Sequence, residues 1–281
     1  MRASFILLII SYFFFQFNQC KAEEKIISLE KDKRIILNGN FIQGGLIYGK
    51  SIPKTSIKFM KRVIFQDSDN RFVFGVGRDY PETAVIEIKY NNSIRNINIK
   101  IKKKVYKIQK IKGLPKKMVT PPEGVYKRII KENKKIAKVR TLNTKIDYIF
   151  QEFIWPVQGI ITGVFGSQRI LNGKPRRPHY GLDIAASKGD KILAPTDSIV
   201  RMAEDNLYFT GGTVMLDHGH GVTSVYSHLS KLLVKKNQKI EKGHVIGLVG
   251  STGRSTGPHL DWRINWFDQR LDPYLFFKNV K

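Results

Sequence analysis

The sequence predicts an all-β chain: a small N-terminal β-sandwich, a bridging α-helix and a C-terminal antiparallel β domain. Three observations lead there. Short runs rich in β-branched and aromatic residues recur over residues 33–104 and again after residue 153, each bounded by Gly, Asn or Asp turns. One segment between them, VYKRIIKENKKIAKVR, carries a helical period instead. The hydrophobic share, 42%, is enough to build cores for both β regions.

The chain starts MRASFILLIISYFFFQFNQCKAEEK, with Arg2 ahead of an apolar run ending near Phe17 and small residues around Ala22. That run is short for a bilayer, which needs ~20 residues. Residues 1–22 therefore read as a secretory signal peptide cut after Ala22, with an uncleaved anchor as the alternative. The single cysteine, Cys20, falls inside this segment, so the mature chain has neither disulfides nor thiolate metal sites.

Residues 23–104 form the predicted basic sandwich, immunoglobulin-like in its spacing of about seven short strands. The strand-like pieces are RIILN, FIQGGLIYG, SIKFMKRVIFQ, RFVFGVG, AVIEIKY and IRNINIKIK. Gly44-Gly45, Asp67 to Asn70 and Asn91-Asn92 supply turns. This region holds no histidine, so its expected task is binding or positioning.

Residues 105–150 are linker and helix. Val105 to Thr120 read as basic and irregular, and Thr120-Pro121-Pro122-Glu123 as a capped helix start. Val125, Ile129, Ile136 and Val139 then recur at helical spacing, the lysines between them forming a solvated face.

The formal charge is +26. Residues 151–281 carry 17 basic and 11 acidic residues, leaving about +18 for residues 23–150. Such a field favours polyanions such as an anionic envelope surface or an acidic wall polymer, although a Lys- and Asn-rich genome bias explains it equally. Secretion argues against nucleic acid as the partner.

All six histidines lie in residues 151–281, at 179, 218, 220, 228, 244 and 259. In HYGLD, His179 and Asp183 are four apart, and a straight strand would separate their Cα atoms by ~13 Å. A shared ion requires a bend, which Gly181 permits while leaving space above itself. In GPHLDWRIN the polar residues His259, Asp261, Arg263 and Asn265 share one face of a strand, with Leu260, Trp262 and Ile264 on the other. Metal-assisted hydrolysis needs about three protein ligands and a proton-handling group in reach. His179, Asp183 and one residue of the HLD strand fit the first requirement, and His228 with the remaining one fits the second. His218 and His220, in the hairpin DHGHG, read as structural, and His244 as an exposed turn residue.

Four ordered motifs now identify a family. RPHYGLDIAASKGDKILAPTDSIV, GGTVMLDHGHGVTSVYSHLS, the Y-S-H-L within it and GHVIGLVGSTGRSTGPHLDWRI resemble the lysostaphin/LytM-type zinc endopeptidases, which cut peptide bonds in bacterial peptidoglycan. The resemblance covers residues 153–275, and the preceding basic β region is similar in layout to Gram-negative envelope members. It implies a lysostaphin-like β domain over residues 151–281, one zinc ion, peptidoglycan as substrate and a periplasmic location. It also implies His179 and Asp183 as zinc ligands, and His228 and His259 as the pair that orients water, moves protons and stabilises the oxyanion. The family's third ligand is the second histidine of H-x-H, and here that position is Asp261. Aspartate is a competent zinc ligand. With two carboxylates the ligand set cancels the ion's charge, which lowers its power to acidify water. Arg169, in GSQRI ahead of the metal segment, is a candidate for steadying a substrate carboxylate or oxyanion.

Two other functions fit the same residues. One is a wall-binding regulatory protein that activates another wall enzyme, with Asp261 merely paired to Arg263 or Arg254. The other is an envelope scaffold held by charge alone.

Overall fold

The computed structural model describes residues 27–28, 34–111, 123–171 and 173–277. The expected signal segment, and Thr120 to Pro122 of the expected helix start Thr120 to Glu123, lie outside these residues. Among those described, no helix is long and apolar enough to cross a membrane.

The N-terminal region is two four-stranded antiparallel sheets. One runs in the order Ile27–Ser28, Ile35–Gly39, Leu46–Ser51, Arg71–Gly75, and the other Arg62–Val63, Thr55–Phe59, Thr83–Tyr90, Ser93–Lys100. Alternation decides what faces inward: along Thr83–Tyr90, Ala84, Ile86 and Ile88 are buried while Val85 and Lys89 face out. Phe59 of one sheet meets Phe74 of the other with ring centroids 4.6 Å apart. The run SIKFMKRVIFQ, expected as one piece, folds back on itself. Met60 and Lys61 both take positive φ (47° and 63°), the conformation a two-residue hairpin requires. The expected turn at Asn91-Asn92 joins Tyr90 to Ser93.

The helix occupies Tyr126–Arg140, entered through a 3₁₀ turn at Glu123–Val125. Its apolar face docks on the C-terminal sheet, where Val139 packs with Met202, Leu207, Met215 and Val225. Lys135 bonds Glu204 at 2.8 Å, and Glu132 accepts the Tyr208 backbone N–H at 2.8 Å.

The stretch after Val105 is not irregular throughout, because Ile108–Ile111 forms a strand pairing in parallel with Gln168–Leu171. A partner more than 50 residues away supplies the ladder, so no local turn signal announces it.

The C-terminal region is built on an eight-stranded antiparallel sheet in the order Ile160–Gly163, Leu182–Ala185, His259–Trp266, Val222–Leu229, Gly211–Gly219, Ser198–Leu207, Lys239–Ile240, with Gln269–Leu271 added beside His259–Trp266. Every residue of the two central strands, Gly211–Gly219 and Val222–Leu229, is buried. The two β regions also share one continuous apolar core. Gly75 makes this close approach work, since a Cβ there would sit 2.8 Å from both Trp266 and Leu271.

Candidate metal centre

The site assembles where Leu182–Ala185 pairs with His259–Trp266. The register sets Asp183 directly opposite Asp261, and Ala185 opposite His259. His179 lies beyond a bend at Gly181, its backbone N–H bonded to the Ser167 carbonyl at 2.8 Å. The bend brings His179 Nε2 to 3.3 Å from Asp183 Oδ1. One donor atom each from His179, Asp183 and Asp261 lies within 4.8 Å of the others, a spacing that fits a shared cation.

Two glycines form the floor. A Cβ at Gly163 would lie 2.2 Å from the Asp183 carboxylate. At Gly181 it would meet the Arg263 side chain at 2.6 Å and Asp261 Oδ1 at 3.0 Å. The donors also behave as a metal set: His179 Nε2 is buried without a hydrogen-bond partner, which is costly unless something is bound there. The residues present therefore fit a zinc ion.

His228 and His259 stand beside this group, ring centroids 4.8 Å apart. His228 Nδ1 lies 2.7 Å from the Thr252 carbonyl, and His259 Nδ1 2.9 Å from the Gly257 carbonyl and 3.2 Å from Ser255 Oγ. A carbonyl can only accept, so each ring carries an N–H at Nδ1, and in the neutral form the lone pair is on Nε2. His259 Nε2 is 3.9 Å from Asp183 Oδ1. Burial pushes the His228 pKa below the ordinary histidine value, with the Thr252 bond pulling the other way. Regular alternation would turn His228 away from the face that Ser227 shares with Asp261. Its left-handed backbone, φ 69°, breaks that alternation, and strain of this kind concentrates at functional sites.

Asp261 shows what sequence reading left open. It is 3% exposed, and Arg263 grips it: Arg263 Nε donates to Oδ1 at 2.9 Å and Oδ2 at 3.1 Å, and Nη2 donates to Oδ2 as well. Burial alone would raise the Asp261 pKa, but the guanidinium outweighs it and the carboxyl titrates at about 2. The partner is Arg263 and not Arg254, whose guanidinium lies 4.5 Å over the Phe209 ring. Arg254, Arg263, Phe209 and Thr210 line a cleft of about 190 Å³ together with the five residues expected to bind metal or handle protons. None of these four was assigned a site role from sequence. The G-R-S-T-G loop and the i, i+2 spacing of Asp261 and Arg263 were the available signals.

The remaining predicted residues fall elsewhere. Arg169 lies on Gln168–Leu171, two residues beyond the Ser167 carbonyl that holds His179. His218 is fully buried, with Nδ1 3.0 Å from Thr196 Oγ1 and Nε2 2.7 Å from Ser224 Oγ. His220 takes φ 51° in the hairpin turn and bonds Asp147 at 2.9 Å. Asp67 completes a second acidic group with those two. Its carboxylate is already taken by the backbone N–H groups of Asp69 and Arg71 and by Arg71 Nε at 2.6 Å. That group is a polar junction between the two β regions.

Residues 177–273 match the model of Peptidase family M23. The chain is 44% identical over 87 residues to the peptidoglycan DD-endopeptidase ShyA of Vibrio cholerae, an alignment spanning 31% of this chain and 20% of ShyA. It is 38% identical over 97 residues to the DD-carboxypeptidase/endopeptidase Mpg of Neisseria meningitidis, covering 34% and 22%. The chain thus spans about a fifth of the length of these curated relatives. A crystal structure from Pseudomonas aeruginosa assigned to peptidase M23 superposes with a TM-score of 0.65 at 25% identity, over 85% of this chain and 96% of that one. The matched sequence, the shared fold and the His179–Asp183–Asp261 group thus agree in making residues 177–273 similar to peptidase family M23.

Proposed function

We propose that the chain is a zinc metalloendopeptidase that hydrolyses peptide cross-links of bacterial peptidoglycan in the periplasm. The observation that carries this reading is the convergence of three metal-competent donors with two histidines, each held through Nδ1, on one cleft. ShyA, named as a peptidoglycan DD-endopeptidase, supports the substrate class.

His179, Asp183 and Asp261 would hold the ion, which when bound polarises a carbonyl and acidifies water. The rest falls to the protein's own groups. His228, whose neutral form burial favours and which is fixed through Thr252, is suited to take a proton at Nε2. That proton can pass from His228 Nε2 to the leaving amine, and His259, fixed through Gly257 beside it, is suited to support the developing oxyanion when its own Nε2 is protonated. Arg254 and Arg169 are assigned to substrate carboxylates. We take residues 23–104 and 151–281 as the working modules, joined through 105–150, with the basic first module resting on an anionic envelope surface.

A second reading draws on one observation, the Arg263 grip on Asp261. A chain whose third donor is already neutralised internally suits a metal-free regulator that binds the wall and a protein partner.

Digestion of purified sacculi by zinc-loaded residues 23–281, followed by mass spectrometry, separates the two. Cross-linked fragments are expected to fall with the wild type and to persist with His179→Ala. Persistence with both, from zinc-occupied protein, would sink the peptidase reading for that substrate.

A further inference from the structure

The metal centre places two carboxylates directly opposite each other across a strand pair, Asp183 and Asp261. Like charges so placed repel, and Asp261 is almost wholly buried. Arg263 answers both problems, because its side chain is mostly buried and its fork closes on both Asp261 oxygens. A carboxylate has about four lone-pair sites, so a bidentate arginine leaves it able to bind an ion as well. Groups that bond to metal-binding carboxylates in this way fix their orientation and set the charge the ion meets. With Arg263 counted, the set His179, Asp183, Asp261 carries a net charge of one carboxylate instead of two.

We infer that Arg263 is a positioning residue of the metal centre, acting through Asp261, and that the two form one unit in which neither can be exchanged alone. This rests on the zinc-binding reading above. Its consequence runs against ordinary ligand preference. Histidine is a strong zinc ligand, yet His at position 261 would leave the Arg263 guanidinium unpaired beside a dication.

The test is zinc affinity, measured by competition with a fluorescent chelator on the purified chain, for the wild type, D261H, R263Q and D261H/R263Q. Wild type is expected to take up one zinc. D261H should bind at least ~10-fold more weakly, the range seen when groups behind a metal ligand are disturbed, and adding R263Q should restore most of that loss. Circular dichroism of the zinc-free variants checks folding. If D261H fails to fold, D261N and D261N/R263Q replace it, with the double variant expected to bind at least ~10-fold more tightly than the single. D261H binding as tightly as wild type, or a double variant no tighter than its single, would overturn the coupling while leaving the metal centre standing. Absence of zinc from the wild type would instead remove the metal centre, and this inference with it.

Discussion

His228→Ala and His259→Ala are each expected to lower kcat by about 10²–10⁴-fold while the zinc content stays unchanged, since proton transfer by a positioned side chain contributes on that scale. The expectation comes from where the rings are held. Both spend Nδ1 on a backbone carbonyl and line the cleft, and neither belongs to the three-donor group. Turnover of a purified cross-linked peptide dimer, with metal content measured on the same samples, gives the answer. Loss of zinc from His228→Ala would make that residue a ligand, and a rate within tenfold of wild type would deny it a part in proton transfer. The strained φ of His228 adds a control: His228→Gly relieves the backbone but removes the base, so it should be as inactive as the alanine variant.

His218 should make the fold acid-sensitive. Burial is the main cause that lowers its pKa to about 4, partly opposed by Asp217. The unfolded chain takes up the proton near pH 6.5 and the folded chain only near pH 4. Between those values the unfolded state binds more protons, so stability is full above about pH 6.5 and falls as the pH drops. The loss is roughly 3 kcal/mol at about 1.4 kcal/mol per pH unit. Urea unfolding at pH 7 and at pH 4.5 measures it. His218→Gln cannot titrate and should flatten the slope across that window whatever its effect at pH 7. An unchanged slope would place the sensitivity elsewhere.

Much of the architecture was legible because its signals are local. Period-two alternation in His259–Trp266 assigned the polar face that carries His259, Asp261 and Arg263 and the core face that carries Leu260, Trp262 and Ile264, all three fully buried. Asn91-Asn92 marked its hairpin, and Gly181 marked the bend that lets His179 reach Asp183. What stayed hidden depends on distant partners. The strand Ile108–Ile111 exists through its parallel neighbour at Gln168–Leu171. Gly163 matters because a strand 20 residues on lays a carboxylate over it. Composition gave no sign that Gly75 would seat against Trp266 and fuse two cores into one. Sequence placed Asp261 and Arg263 on one face but left open whether Arg263 or Arg254 would pair with it. The choice follows from Arg254 lying over Phe209 instead.

The metal content of the purified chain tests the central claim most directly. After equilibration with buffered zinc and removal of the excess, the wild type should retain one ion per chain and His179→Ala none, with both proteins folded. A folded wild-type chain that retains no zinc would contradict the account and leave Asp261 as the partner of Arg263 alone.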